Sequence, residues 1–175
     1  MKFLMLAMFV SLFGAAAKAD GFDDARICIE IVNQRGDMNA AVDHCSRALA
    51  SRQLRGNNLV PVYYNRAWAY DELGEIDKAI EDYSRVIQIQ PDFLDSYVAR
   101  GYSYAKKGDL ERAIEDYSLA LRVDPDQFEA RFNRALAYEQ QGDLKRAVED
   151  YQKAHDINPE NPRLRAVMKR LLLLE

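Results

Sequence analysis

The sequence predicts an all-α protein that folds as a solenoid of stacked, antiparallel helix pairs. Gly74, Gly108 and Gly142 recur at intervals of 34 residues, and their surrounding sequences are nearly identical. This interval is the length of one helix-turn-helix unit of the kind that stacks on its neighbours in an open solenoid. Gly36, which stands 38 residues before Gly74, lies in a divergent copy of the same pattern. Internal repetition therefore predicts the architecture directly.

The repeated motif is specific. Gly-Asp-Leu-x-Arg-Ala-x-Glu-Asp-Tyr starts at Gly108 and again at Gly142, and a close variant starts at Gly74. Counted from each glycine, tyrosine stands at minus four, alanine at plus five, tyrosine at plus nine and proline at plus seventeen. This pattern resembles the tetratricopeptide repeat (TPR) family. The resemblance covers roughly residues 60 to 161 and implies a right-handed α-solenoid that binds other proteins.

Each unit is expected to contain one helix that ends near the glycine and a second that ends before the proline. Glycine reaches the positive φ of such a turn without steric cost. The predicted helices span about 22–34, 38–52, 60–73, 76–89, 94–107, 110–123, 128–141 and 144–157. The predicted organisation is a leader at 1–19, a divergent first repeat with a long connection at 20–59, regular repeats at 60–93, 94–127 and 128–161, and a C-terminal capping helix at 162–175.

The C-terminal capping helix is predicted from sequence features outside the repeat. Asn161 and Pro162 are residue types preferred at the cap and at the first position of a helix. One apolar stripe then follows, formed by Leu164, Val167, Met168, Leu171 and Leu172. Such a helix should close the exposed end of the solenoid. Leu173 and Leu174 exceed what the stripe needs, and are either a frayed terminus or a homodimer contact.

The first nineteen residues predict export. Lys2 precedes an apolar run, and Ala17-Lys18-Ala19 has the small-x-small pattern of a signal-peptide cleavage site. The alternative is an uncleaved anchor, although roughly fifteen apolar residues are too few to span a bilayer. We expect a periplasmic or secreted protein without a membrane span after cleavage. Two of the 24 basic residues lie in the leader, so the 28 acidic residues outnumber the rest, which argues against nucleic acid as a partner.

Cys28 and Cys45 are the two cysteines of the chain, and an even number in an oxidising compartment suggests a disulfide. Cys28 lies eight residues before Gly36 and Cys45 lies nine after it. Antiparallel helices that turn at this glycine would therefore bring both side chains to nearly the same height. Two buried thiols are the alternative. The spacing is far from the Cys-x-x-Cys of a catalytic redox pair.

The regular repeats have a different pair at the same height. An arginine stands eight residues before each glycine and an aspartate eight after it: Arg66 and Asp82, Arg100 and Asp116, Arg134 and Asp150. We predict that these residues form structural ion pairs within or between helix pairs. Ligand binding is the alternative, because guanidinium groups suit carboxylates and phosphates.

The family resemblance also implies a binding groove. The first helices of such units line the concave side, with contact residues ten, six, three and two positions before each glycine. The first two positions are apolar here: Tyr64, Trp68, Val98, Tyr102, Phe132 and Leu136. The others form a polar rim: Asp71, Glu72, Lys106, Glu139 and Gln140. We predict that a peptide segment or partner helix binds here; the alternative is that these side chains pack against neighbours or the last helix.

The sequence gives catalysis little support. The two histidines, His44 and His155, lie on second helices far apart in the stack, and His44 beside Asp43 and Ser46 is interpreted as a solvated helix face. The chain contains no His-Glu-x-x-His, phosphate-loop or nucleophile-elbow motif. We expect a non-catalytic protein-interaction scaffold without cofactor or metal. The alternative is an assembly module whose groove holds its own last helix or another copy.

Overall fold

The fold is that of a computed structural model, which describes residues 20–171. Within this range the chain forms nine α-helices and one short 3-10 helix, and no β-strand. The α-helices are α1 (Gly21–Asn33), α2 (Met38–Ala50), α3 (Val60–Glu72), α4 (Ile76–Ile89), α5 (Leu94–Lys107), α6 (Leu110–Val123), α7 (Phe128–Gln140), α8 (Leu144–Ile157) and α9 (Pro162–Arg170). The 3-10 helix, Gly56–Leu59, lies in the long connection before α3.

The helices form a right-handed solenoid of four antiparallel pairs, called units 1 to 4 below, with α9 packed at the end. The second helix of each unit packs on the first helix of the next. The predicted fold class is confirmed, and the predicted ends of the paired helices agree with the structure to within two residues. The leader and the leucines from Leu172 to Leu174 lie outside the described residues. Between residues 20 and 171, no helix is long and apolar enough to cross a membrane.

The turns inside the regular units use glycine as predicted. Gly74, Gly108 and Gly142 adopt φ angles of 78°, 85° and 82°. These values lie in the left-handed region, which side chains disfavour. In unit 1 the positive angle falls instead on Arg35, with φ 51°, and not on Gly36. The divergent unit therefore departs from the others in its turn as well as in its sequence.

Helix caps explain why the regular motif continues with aspartate. Asp109 and Asp143, each directly after a turn glycine, accept a hydrogen bond from a backbone N–H in the first turn of α6 and α8. Asn161 does the same for α9, where Pro162 lies in the first turn. These bonds satisfy N–H groups that have no partner within the helix.

The core alternates small and aromatic side chains. The tyrosines nine residues after the regular glycines are at most 1% exposed: Tyr83, Tyr117 and Tyr151. Gly101 shows how tight this packing is, because a Cβ atom there would approach the Tyr117 ring to 2.8 Å. The equivalent positions of the neighbouring regular units are Ala67 and Ala135, which are fully buried.

Candidate functional site

A cavity of about 300 Å³ between the first helices of units 2 to 4 contains most of the predicted groove residues. Tyr64 and Trp68 on α3 and Val98 and Tyr102 on α5 line it. Within each helix the two residues are four positions apart, which places them on one face. Tyr102 is the most open of them, with 49% of its surface exposed.

Polar side chains complete the wall of this cavity. Asp71 and Glu72 of the predicted rim are part of it. Sequence reasoning missed four others: Asp95, Gln127, Glu129 and Asn133. A signal for them was present, since Asp95 stands one helical turn before Val98 and so lies on the same face of α5. The cavity is therefore more acidic than the predicted groove.

Tyr64 packs in the core as well as lining the cavity. Its ring meets those of Tyr83 and Phe93 edge to face, at centroid distances of 5.5 and 5.4 Å. Burial raises the pKa of its hydroxyl group. Trp68 is also partly buried, against the cluster that contains Val32. These contacts fix the two rings in place, which is a condition for a preformed binding site.

The C-terminal end of the predicted groove is covered by α9. Phe132 on α7 is only 3% exposed, because it packs with Phe128, Tyr151 and apolar side chains of α9. Arg163 of α9 lies over its ring, 5.0 Å from the centroid. Leu136 is partly buried against the same cluster. The structure therefore corrects the prediction that Phe132 lines an open groove, because α9 packs over it.

The predicted rim residues do not all line the main cavity either. Glu139 accepts a hydrogen bond from the Tyr151 hydroxyl at 2.8 Å and forms an ion pair with Arg170 of α9 at 2.5 Å. Its role is thus a contact with the last helix, which corrects its assignment to an open rim. Lys106 and Gln140 line a smaller neighbouring cavity of about 180 Å³.

Asp71 is a buried carboxylate in the wall of the main cavity, with 6% of its surface exposed. Ser103 donates a hydrogen bond to its Oδ2 atom at 2.7 Å. Its Oδ1 atom has no hydrogen-bond partner, and the Lys106 ammonium lies 3.6 Å away. Burial raises the pKa of Asp71, and the interactions with Ser103 and Lys106 only partly oppose this rise.

The arginine and aspartate series meets inside the stack, away from the cavity. Each arginine donates two hydrogen bonds to its aspartate, with the Nε distances 2.7, 2.8 and 2.7 Å: Arg66 to Asp82, Arg100 to Asp116 and Arg134 to Asp150. The aspartates are almost fully buried. Burial raises the pKa of Asp82 and of Asp116 against the opposing hydrogen bonds. Because the guanidinium groups already bind protein acceptors, this geometry supports a structural role over ligand binding.

Each of these arginines also reaches the preceding unit. Its Nη1 atom donates a hydrogen bond of 2.9 to 3.1 Å to a serine: Ser46, Ser84 and Ser118. Sequence reasoning missed this series, although every member stands ten residues after its glycine. The equivalent residue of unit 4 is Gln152, which no arginine-bearing unit follows. The serine therefore occurs only where there is an arginine to bind.

Unit 1 has a disulfide instead of this ion pair. Cys28 and Cys45 are bonded to each other, fully buried, with Cα atoms 5.3 Å apart. Beside them, Asp24 on α1 lies 2.7 Å from His44 Nδ1 and 2.9 Å from Arg47 Nη2 on α2. Burial raises the pKa of Asp24, but the hydrogen bonds from these two residues outweigh it and hold the pKa below its usual range.

The neighbours of His44 correct its sequence interpretation. Its side chain is only 25% exposed, so it is not simply a solvated surface group. Its carboxylate partner is Asp24 and not Asp43, and Ser46 binds Arg66. A His-Asp-Ser triad is therefore not assembled. In the described part of the chain, no three His, Cys, Asp or Glu residues are placed to hold a metal ion.

Stacked helix pairs with this repeat length define a class of helical repeat proteins. Tetratricopeptide repeat family models match residues 60–93 and 100–172, which together make up more than half of the chain. The chain therefore belongs to the tetratricopeptide repeat family. Unit 1 lies outside both matches, in keeping with its divergent sequence. No curated protein matches the chain.

Several solved structures share this fold. YrrB, described as a TPR protein with an unusual peptide-binding site, is 19% identical over 88% of this chain and 76% of its own, with a TM-score of 0.77. MamA from Desulfovibrio magneticus RS-1 is 20% identical over 81% of this chain and 80% of its own, with a TM-score of 0.70. The first TPR of Spaghetti, bound to an HSP90 peptide, is 20% identical over 65% of this chain and 90% of its own, with a TM-score of 0.62.

Proposed function

We propose that this protein is a non-catalytic interaction scaffold that binds a peptide segment of a partner protein in the cavity between α3, α5 and α7. The observation that carries the proposal is the cavity itself, where four apolar side chains from two units line one concave space. Burying one such anchor contributes about 1.5 to 3 kcal/mol, so two or three of them can support a reversible complex. Membership of the TPR family and the peptide sites of YrrB and Spaghetti support this function.

The proposal includes export to a bacterial periplasm or secretion. Its support is the leader pattern together with the disulfide geometry of Cys28 and Cys45, because such bonds persist in oxidising compartments. A second candidate is an assembly module whose groove is occupied by the chain itself. The contact between α9 and Phe132 favours this candidate at the C-terminal end of the concave side, whereas the cavity at Tyr102 stays open.

A random peptide library displayed against the whole protein tests peptide binding. We expect recovered peptides to bind the Trp68→Ala, Tyr102→Ala variant at least about tenfold more weakly, because two apolar anchors are lost. The matched control is Val123→Ala, Leu144→Ala. These side chains are exposed like that of Tyr102, at 66% and 55%, but lie outside the cavity.

Circular dichroism and thermal melting would verify that both variants are folded. Binding that is unchanged in the cavity variant, or lost equally in the control, contradicts the proposed site. Failure to recover any peptide, combined with a dimer in sedimentation, would favour the assembly module instead.

A further inference from the structure

We propose that the cavity receives a basic side chain, lysine or arginine, from the bound segment. This inference rests on the proposed peptide-binding function and specifies its ligand. The first reason is charge. Four carboxylic acids line the cavity, Asp71, Glu72, Asp95 and Glu129, whereas none of its lining residues is lysine or arginine. A cationic group that enters the cavity would lie between the carboxylates of α3 and the carboxylate of α7, which have complementary charge.

The second reason is the buried carboxylate of Asp71. Only 6% of the Asp71 surface is exposed, and its Oδ1 atom has no hydrogen bond. The neighbouring cation, Lys106, donates its hydrogen bond of 2.8 Å to the backbone carbonyl of Asp71. Its ammonium group lies 3.6 Å from Oδ1. The negative charge in the cavity wall is therefore only partly compensated within the protein.

The third reason is the aromatic lining. The rings of Tyr64, Trp68 and Tyr102 border the same space as the carboxylates, and aromatic faces attract cations. Tyr102 already holds one: the Lys106 ammonium lies 5.6 Å from its ring centroid. Because Tyr102 as a whole is 49% exposed, a group from a ligand can also reach it.

The fourth reason comes from the other end of the solenoid, where the chain supplies its own occupant. Phe132 and Glu139 of unit 4 stand ten and three residues before Gly142, as Tyr64 and Asp71 stand before Gly74. There α9 places Arg163 over the Phe132 ring and pairs Arg170 with Glu139. An aromatic ring and a carboxylate at these repeat positions thus bind arginines of a helix, and the equivalent pair in unit 2, Tyr64 and Asp71, lines the cavity.

The test uses the peptides recovered from the random library. We expect them to be enriched in lysine or arginine, and replacement of arginine by neutral citrulline, or of lysine by acetyl-lysine, to weaken binding about tenfold. The triple variant Glu72→Gln, Asp95→Asn, Glu129→Gln should weaken binding of the basic peptides similarly and leave binding of the neutral peptides unchanged. These three side chains are exposed, so the fold should persist.

The control carries the same change in net charge on the second helices: Glu81→Gln, Glu115→Gln, Glu149→Gln, all exposed. It should bind the basic peptides like the wild type. Peptides that bind at the cavity but show no loss on citrulline substitution would overturn the basic-ligand inference while leaving peptide binding intact. A weakening of equal size in the control would also overturn it, because long-range charge would then explain the preference. A library that yields no binder contradicts the proposed function itself.

Discussion

Unit 1 and the regular units solve one structural problem with different chemistry. Both must join the middles of two antiparallel helices at a buried height. Unit 1 uses the Cys28–Cys45 disulfide, whereas unit 3 uses the Arg100–Asp116 ion pair. The disulfide joins only the two helices of its own unit. The arginine also binds Ser84 of the preceding unit, so the ion pair couples neighbours as well. The ion pair therefore suits units with a unit before them in the stack, whereas the disulfide suits the first unit.

The largest expected effect is the loss of an interior arginine. Arg100→Ala should leave Asp116, which is 4% exposed, as an uncompensated buried carboxylate. We expect this change to lower the free energy of unfolding by about 3 to 5 kcal/mol, measured by urea denaturation. Arg100→Met combined with Asp116→Leu is the control, since removing both charges together costs little. A stable Arg100→Ala protein would contradict the structural role of the series.

The next effect is the loss of the disulfide. Cys28→Ala, Cys45→Ala should lower the free energy of unfolding by about 3 kcal/mol, because the bond closes a loop of seventeen positions in the unfolded chain. Hydrogen exchange should show the loss first in α1 and α2, since repeat arrays can open locally at one end. Reductant should destabilise the wild type to a similar extent and leave the variant unchanged. Uniform loss of protection across all units would argue that the bond stabilises the whole stack.

Sequence reasoning succeeded where one unit contains all the information. Gly108 and Tyr117 recur at fixed offsets in all three regular units, and Asp109 recurs in unit 4, so helix ends, core positions and two of the caps follow from the repeat. It failed where a contact joins elements without a fixed offset. Phe132 is buried because α9 packs over it, and α9 is not part of the repeat. The hydrogen bond from Ser103 to Asp71 likewise depends on how two units stack.

The serines that bind the arginines, Ser46, Ser84 and Ser118, lie between these two cases. They recur at a fixed offset, but their hydrogen bonds to the next unit are seen only in the structure. Ser84→Ala removes the acceptor of Arg100 Nη1, a bond of 3.0 Å between units 2 and 3. Since the arginine side chain is 18% exposed, water can partly replace the lost acceptor. We therefore expect a loss of only about 1 kcal/mol in the free energy of unfolding.

Gln152→Ala is the matched control, because Gln152 has the same position in unit 4 and no arginine-bearing unit follows it. It should change stability by less than about 0.5 kcal/mol. A double-mutant cycle between Ser84→Ala and Arg100→Met would isolate the coupling of the two residues. Zero coupling would mean that the ion pairs of the regular units act within each unit alone, like the disulfide of unit 1. Positive coupling would show that the arginine of the ion pair also stabilises the contact between neighbouring units.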